Sequence, residues 1–221
     1  LDAPVELADE IATFSIVRAV REMPKLRMLR PTIRSSAIPG QALSLPPIKA
    51  LDPGTRVAIF DGGIPAGHPL LLWTQAIDAP GVGAAHPDLL KHGVAVTSAF
   101  LFGHIDPRQA LPQPYANVDH YRVLDNAPGQ NPHELYEVLD RIDKVLSDKE
   151  YDFVNLSLGP RLPVEDDDVH AWTAVLDDRL GRTATLAAVA VGNDGEGDAL
   201  LGLNRVQVPA DCVNALAVGA C

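Results

Sequence analysis

Arg56-Val57-Ala58-Ile59-Phe60-Asp61-Gly62-Gly63-Ile64 carries the strongest signal of fold class in the sequence. A short apolar run that stops at a carboxylate and two glycines is the pattern of a buried parallel strand, whose C-terminal end delivers a side chain into a crevice. A second stretch, Lys91-His92-Gly93-Val94-Ala95-Val96-Thr97-Ser98, starts with an imidazole and a glycine and continues in small and β-branched residues. It reads as a buried helix with His92 at its N-terminal end. Asp61 lies 31 residues earlier, and an acid and an imidazole so placed are what an Asp–His pair for nucleophile activation requires. The carboxylate fixes the tautomer and the imidazole takes the proton. Taken singly, Asp61 reads equally as a turn cap and His92 as a helix N-cap.

Working outward, the chain alternates strands and helices. Residues 131–147 form the clearest helix: Asn131 as N-cap, Pro132 at the first position, Glu134 at the third, then Leu135, Val138, Leu139, Ile142, Val145 and Leu146 on one face. Asp152 to Gly159 reads as a buried strand, and residues 169–180 as a helix opened by the acidic run 165–168, which suits the positive end of its dipole. Residues 121–124, 185–191, 206–209 and 215–219 are further strand-like runs, and Gly192-Asn193-Asp194-Gly195 is a turn that presents an amide. Residues 14–20 fit a strand or the end of a helix, and 78–88 and 107–118 read as loops. This order predicts an α/β domain in three αβα layers with a mostly parallel sheet, its working residues at the carboxyl ends of the strands. Six prolines between residues 24 and 53 mark an extended connector. The boundary is placed near residue 50, with an N-terminal extension over 1–50 and the main domain over 51–221.

A chain of 221 residues, 47% apolar and 21% charged, suits one large globular domain. The net charge of −11 argues against nucleic acid as a partner. Arg18, Arg21, Lys25, Arg27, Arg30 and Arg34 nevertheless crowd the first segment, a patch suited to an acidic surface of a neighbouring domain. No apolar run is long enough to span a bilayer, so no membrane is expected. Cys212 and Cys221 are too few for a disulfide framework and match no zinc spacing, which fits reduced thiols in a cytoplasm. Leu1 is not an initiator methionine, so the chain reads as a piece of a longer or processed product.

Five ordered blocks resemble the subtilisin-like serine peptidases (subtilases). Val57 to Ile64 with His68-Pro69-Leu70 is similar to that family's aspartate block, and His92 to Ser98 to its histidine block. Val154-Asn155-Leu156-Ser157-Leu158-Gly159 matches its substrate-channel strand, Ala190 to Gly195 its oxyanion block, and residues 208–220 the segment beyond. The resemblance implies a subtilisin-like fold and peptide hydrolysis through an Asp-His-Ser triad. Asp61 orients His92, His92 is general base and then acid, and the Asn193 amide donates to the oxyanion. Ser157, Leu158 and Gly159 border the cleft and pair with an extended peptide or protein substrate.

Departures from the family pattern limit what carries over. Ala95 stands where a second His is usual, Ser98 where Gly is common, and Pro65 replaces an Asp that contributes to a calcium site in many members. No metal or other cofactor is therefore expected. The Gly-Thr-Ser-x-Ala serine block does not occur before Cys221, and neither Ser98 nor Ser157 has its context, so these residues by themselves are predicted not to hydrolyse peptides. Two other readings stand beside the peptidase: a peptide-binding pseudoprotease or regulatory module, and an interaction or chaperone-like role for residues 1–50. His68, His86, His104, His120, His133 and His170 could join Asp61 and His92 around a metal by type alone, but no H-E-x-x-H or similar spacing supports it. Nucleotide binding lacks both the G-x-G-x-x-G and the P-loop lysine. Trp73 and Trp172 read as packing residues.

Overall fold

A computed structural model describes residues 3–17, 20, 23–27, 45–46, 49–106, 109–125, 131, 133–200, 202 and 204–219. Most of the Pro-rich connector, four of the six basic residues of the N-terminal patch, Pro132 and Cys221 lie outside them.

Among the described residues, eight strands and four α-helices occur in the order α1 (Ala8–Ala12), β1 (Leu26–Arg27), β2 (Arg56–Asp61), β3 (Thr74–Asp78), α2 (Pro87–Phe102), β4 (Asn117–Arg122), α3 (Glu134–Asp148), β5 (Phe153–Leu156), β6 (Gly159–Pro160), α4 (Ala171–Leu180), β7 (Leu186–Ala190) and β8 (Ala215–Val218). Six strands make one sheet in the order β3-β4-β2-β5-β7-β8, every pair parallel. β1 and β6 form a separate antiparallel pair. The chain leaves β2 toward β4 and β3, then crosses to β5 on the other side. That reversal makes the C-terminal end of β2 a topological switch point, where parallel sheets open a crevice.

Period-two alternation divides β2 between the two faces. Ala58 and Phe60 join a core cluster with Val138 and Ile142 of α3 and Trp172 and Leu176 of α4. Val57 and Ile59 join a second cluster with Leu101 and Phe102 of α2. Both faces are covered, which gives the three-layer α/β arrangement the sequence predicts and explains why β2 carries no polar residue between Arg56 and Asp61. Trp172, fully buried, donates its indole N–H to the Leu135 carbonyl at 3.1 Å, and Trp73 packs edge-on against Phe102, so both tryptophans are packing residues. Cys212 is buried with a free thiol, and burial pushes its pKa up to about 12. Among the described residues no helix is long and apolar enough to cross a membrane.

Several local expectations need correction. β3 occupies residues to which the sequence reading assigns no element, apart from Asp78 at the start of the 78–88 loop, because an edge strand with a half-exposed Thr-Gln-Ala-Ile-Asp lacks an apolar run. The strand expected at 121–124 lies earlier, over β4. Helix α3 starts at Glu134 rather than 131; the Asn131 carboxamide oxygen accepts the His133 N–H at 2.9 Å, a turn ahead of the helix. Residues 206–209 form no strand but a single bridge, Gln207 to Pro163, since Pro163 and Pro209 both lack the N–H a ladder needs. Of residues 14–20, expected as a strand or the end of a helix, 14–16 form a bend and turns after α1, which ends at Ala12, 17 and 20 are in no strand, and 18–19 lie outside the described residues.

Candidate active site

Alternation along β2 puts Asp61 on the same face as Val57 and Ile59, beneath α2. It is fully buried. The chain then turns through Gly62 and Gly63, the latter at φ +100°, a conformation glycine alone adopts at little cost. Helix α2 rests directly on this turn. A Cβ at Gly93 would stand 2.2 Å from the Gly63 carbonyl oxygen, and one at Gly62 would stand 2.3 Å from the Leu89 carbonyl oxygen. Backbone therefore meets backbone, and this approach sets the His92 Nδ1 2.7 Å from the Asp61 Oδ1.

His92 is not at the start of its helix. α2 begins at Pro87, where the fixed φ of proline suits the first turn, and the His86 side chain caps it by accepting the Asp88 N–H at 3.3 Å. His92 thus sits in the second turn, on the side facing β2. His68 and His170 cap helical turns in the same way, through the N–H groups of Leu70 and Trp172. Among the described residues no group of three His, Cys, Asp or Glu side chains is placed to hold a metal ion.

Burial works to lower the His92 pKa, but the Asp61 hydrogen bond and charge outweigh it, and the net shift is upward from 6.5. Asp61 Oδ1 also accepts the Gly62 N–H at 2.6 Å, which fixes the carboxylate plane. With Nδ1 held by Asp61, that geometry leaves the Nε2 of His92 without a hydrogen-bond partner among the described residues, on a ring that still reaches the surface with 13% of its side-chain area exposed. Asp61 Oδ2 is buried without a partner among the described residues, an arrangement that costs desolvation energy until a donor arrives.

Sequence reasoning missed the group that holds this turn. His120 on β4 is fully buried and accepts the Gly63 N–H through Nε2 at 3.0 Å. Its Nδ1 must then carry the proton, which it donates to Thr97 Oγ1 at 2.8 Å. Burial drives its pKa down to about 4; the Asp61 charge opposes that shift and His92 adds to it. A neutral imidazole thereby ties β4, the Gly62–Gly63 turn and α2 together. Its place comes from the register of β4, which puts His120 opposite Ile59 on the α2 face and which only the folded sheet reveals. Arg122, two residues on, lies under Gly63 and is held by a bidentate ion pair to Asp78 at 2.8 Å and by the Gly83 carbonyl at 2.7 Å.

β5 lies beside β2 with Phe60 opposite Leu156, so the next residue, Ser157, is level with Asp61. The Asn155 amide donates to Ser157 Oγ at 2.8 Å, Leu158 is buried in the core, and Gly159 belongs to β6. Asn193 follows β7, separated from β2 by β5, on the loop after Gly192 at φ +110°. It is exposed and makes no hydrogen bond among the described residues. The structure thus brings Asp61 and His92 into contact, sets Ser157, Leu158 and Gly159 at the exit of the adjacent strand, and leaves Asn193 on the same edge of the sheet.

Comparison with known proteins agrees with this architecture. The family model described as Peptidase_S8, the subtilase family, matches residues 52–221. The prenylagaramide maturation protease PagA is similar over 77% of this chain, at 22% identity and a TM-score of 0.52, and a point mutant of the protease domain of PatA over 78%, at 21% and 0.53. The chain spans 55% and 59% of those two chains. No curated protein matches. With a family match across most of its length and a parallel sheet that delivers an Asp–His pair at its switch point, the chain belongs to the subtilase family of peptidases.

Proposed function

We propose that these residues supply two members of an Asp-His-Ser site for hydrolysis of peptide bonds. The hydrogen bond of 2.7 Å between His92 Nδ1 and Asp61 Oδ1, with Nε2 unengaged, carries the reading. Asp61 holds the tautomer with Nε2 free and stabilises the imidazolium that forms when His92 takes a serine proton; His92 then returns the proton to the leaving amine. The Asn193 amide donates to the tetrahedral oxyanion, and Ser157, Leu158 and Gly159 border the cleft for a peptide or protein substrate.

In this reading the serine comes from a segment outside residues 1–221. The apolar strand β8 supports it: Leu216 and Val218 are 56% and 49% exposed on the last strand of the sheet, which has no further neighbour among the described residues. An exposed apolar edge strand invites a further element. Without the nucleophile, these residues alone do not cut peptides at a useful rate.

A fluorophosphonate probe tests this on a folded chain extended beyond Cys221, beside the 221-residue chain and an extended His92→Ala variant. Labelling of the extended wild type alone is the expected result. An unlabelled extended protein removes the peptidase reading in favour of a peptide-binding pseudoprotease, and labelling of the 221-residue chain places the nucleophile within it.

A further inference from the structure

A second cleft lies at the other pole of the sheet. A cavity of about 370 Å³ opens at the amino ends of β2, β4 and β5, the opposite end of the strands from Asp61. Two cationic and two anionic side chains line it, Arg56 and Lys149 against Asp119 and Glu150, together with Tyr151. A lining of balanced charge favours neither a net anion nor a net cation. Hydrogen bonds fix one wall. Tyr151 donates its phenol proton to Asp119 Oδ2 at 2.8 Å, so Tyr121 donates to Tyr151 Oη at 2.7 Å, and Lys149 Nζ donates to Tyr121 Oη at 2.8 Å. Burial first, then the bonds to Tyr121 and Asp119, hold the Tyr151 pKa well above its usual value, so the phenol stays a donor at neutral pH. Lys149 Nζ comes within 3.7 Å of Asp119 Oδ2. One bond from a three-donor ammonium leaves two N–H groups, and Asp119 Oδ1 has no hydrogen-bond partner among the described residues. Unused donors and an unused acceptor thus stand side by side on a wall that is already ordered.

We propose that this cavity binds a free α-amino acid with an apolar side chain, its carboxylate on Lys149 and its ammonium on Asp119. Standard bond lengths put the nitrogen and a carboxylate oxygen of an α-amino acid about 3 Å apart. That separation is close to the 3.7 Å between the two protein charges, so the two dipoles can lie antiparallel. A peptide carries its two charges at opposite ends and cannot present both to this wall. Pro53 and Val57 supply the apolar surface for the side chain, and the volume suits a small ligand. The site is independent of the reading of Asp61 and His92, since Arg56 begins β2 and Asp61 ends it.

The test is a backbone-amide NMR titration of the 221-residue protein with L-leucine, L-valine and L-phenylalanine, each alone. With at least one of them the Thr55, Asn117 and Tyr151 signals should shift saturably at millimolar concentration or below, while those of Gly62 and Gly63 at the other pole stay in place. The N-acetyl derivative of that amino acid lacks the ammonium, and its carboxamide lacks the carboxylate. Each should bind at least tenfold more weakly, which corresponds to about 1.4 kcal/mol. Asp119→Asn keeps an oxygen for the Tyr151 phenol, and Lys149→Met keeps the length of the stem; each should weaken binding by the same factor. No saturable shift with any of the three amino acids overturns the proposal. Equal binding of the N-acetyl derivative also overturns it, by making the cavity a plain anion site, and equal binding of the carboxamide does so by making it a cation site. Where a variant does not fold, the two blocked ligands decide the question on the wild type.

Discussion

Gly93→Ala tests how the Asp–His pair is built. The added Cβ would lie 2.2 Å from the Gly63 carbonyl oxygen, 2.9 Å from its nitrogen and 3.1 Å from its carbonyl carbon. All three are backbone atoms of the turn that follows Asp61, so no side-chain rotation relieves the clash. To restore van der Waals contact the helix must withdraw by about 1 Å. His92 rides on the same helix, one residue away, and its 2.7 Å bond to Asp61 would stretch past the hydrogen-bond limit. Overpacking of this kind costs about 1–3 kcal/mol, and loss of a hydrogen bond to a charged group about 1.5–3 kcal/mol. Replacing a helical glycine returns about 1 kcal/mol of propensity. The costs win, and a net destabilisation of at least about 1.5 kcal/mol is expected. Urea denaturation should show a lower midpoint at unchanged slope. NMR titration should show the His92 pKa moving from above 6.5 to below it, since burial remains when the Asp61 contact is gone. A Gly93→Ala protein as stable as wild type, with the His92 pKa still raised, would refute the close-approach argument.

Asp61→Asn should likewise take the His92 pKa below 6.5. Because the folded-state pKa is raised, the stability it contributes is full below 6.5 and fades as pH rises through the folded value, so the substitution should cost more at pH 5 than at pH 9 in parallel denaturation curves; the opposite order would contradict it. Thr97→Val strips the partner from the His120 Nδ1–H in a dry site and should cost about 1–3 kcal/mol by chemical denaturation, with no loss meaning that the bond is dispensable. His120 also makes the wild type acid-sensitive: the unfolded chain takes up a proton near 6.5 and the fold resists until about 4, so stability should fall across that window by roughly 3 kcal/mol, and a flat profile would exclude it. Glu134 works in the opposite sense. Burial first, then the Asp125 and Glu137 charges, raise its pKa to about 7 against the opposing pull of Arg141. Glu134→Gln should therefore raise the melting temperature at pH 8 and leave it unchanged at pH 4.

Where a segment is buried on both faces, or shows one clean apolar face, its pattern was legible. β2, buried at every position after Arg56, and β5 and β7, buried at alternate positions, read as apolar runs, and α3 read from its spacing, because burial constrains those positions. β3 was hidden by its place at the edge, where one side of the strand has no neighbour to demand apolar residues. The apparent strand at 206–209 was broken by prolines on both partners.

By itself the sequence determined the α/β class, the order of the blocks and the pairing of Asp61 with His92, since residue type and chain order carry that information. Tertiary structure alone decided three other things. It placed a neutral His120 beneath the turn that follows Asp61, because a lone histidine's partners come from β4, α2 and the Gly63 backbone, which are distant in sequence. It showed that Gly62, Gly63 and Gly93 act as one contact, which depends on two backbones meeting rather than on any local preference. And it laid β1 along β6, because main-chain pairing is nearly independent of side-chain identity and leaves no motif by which a sequence could announce it.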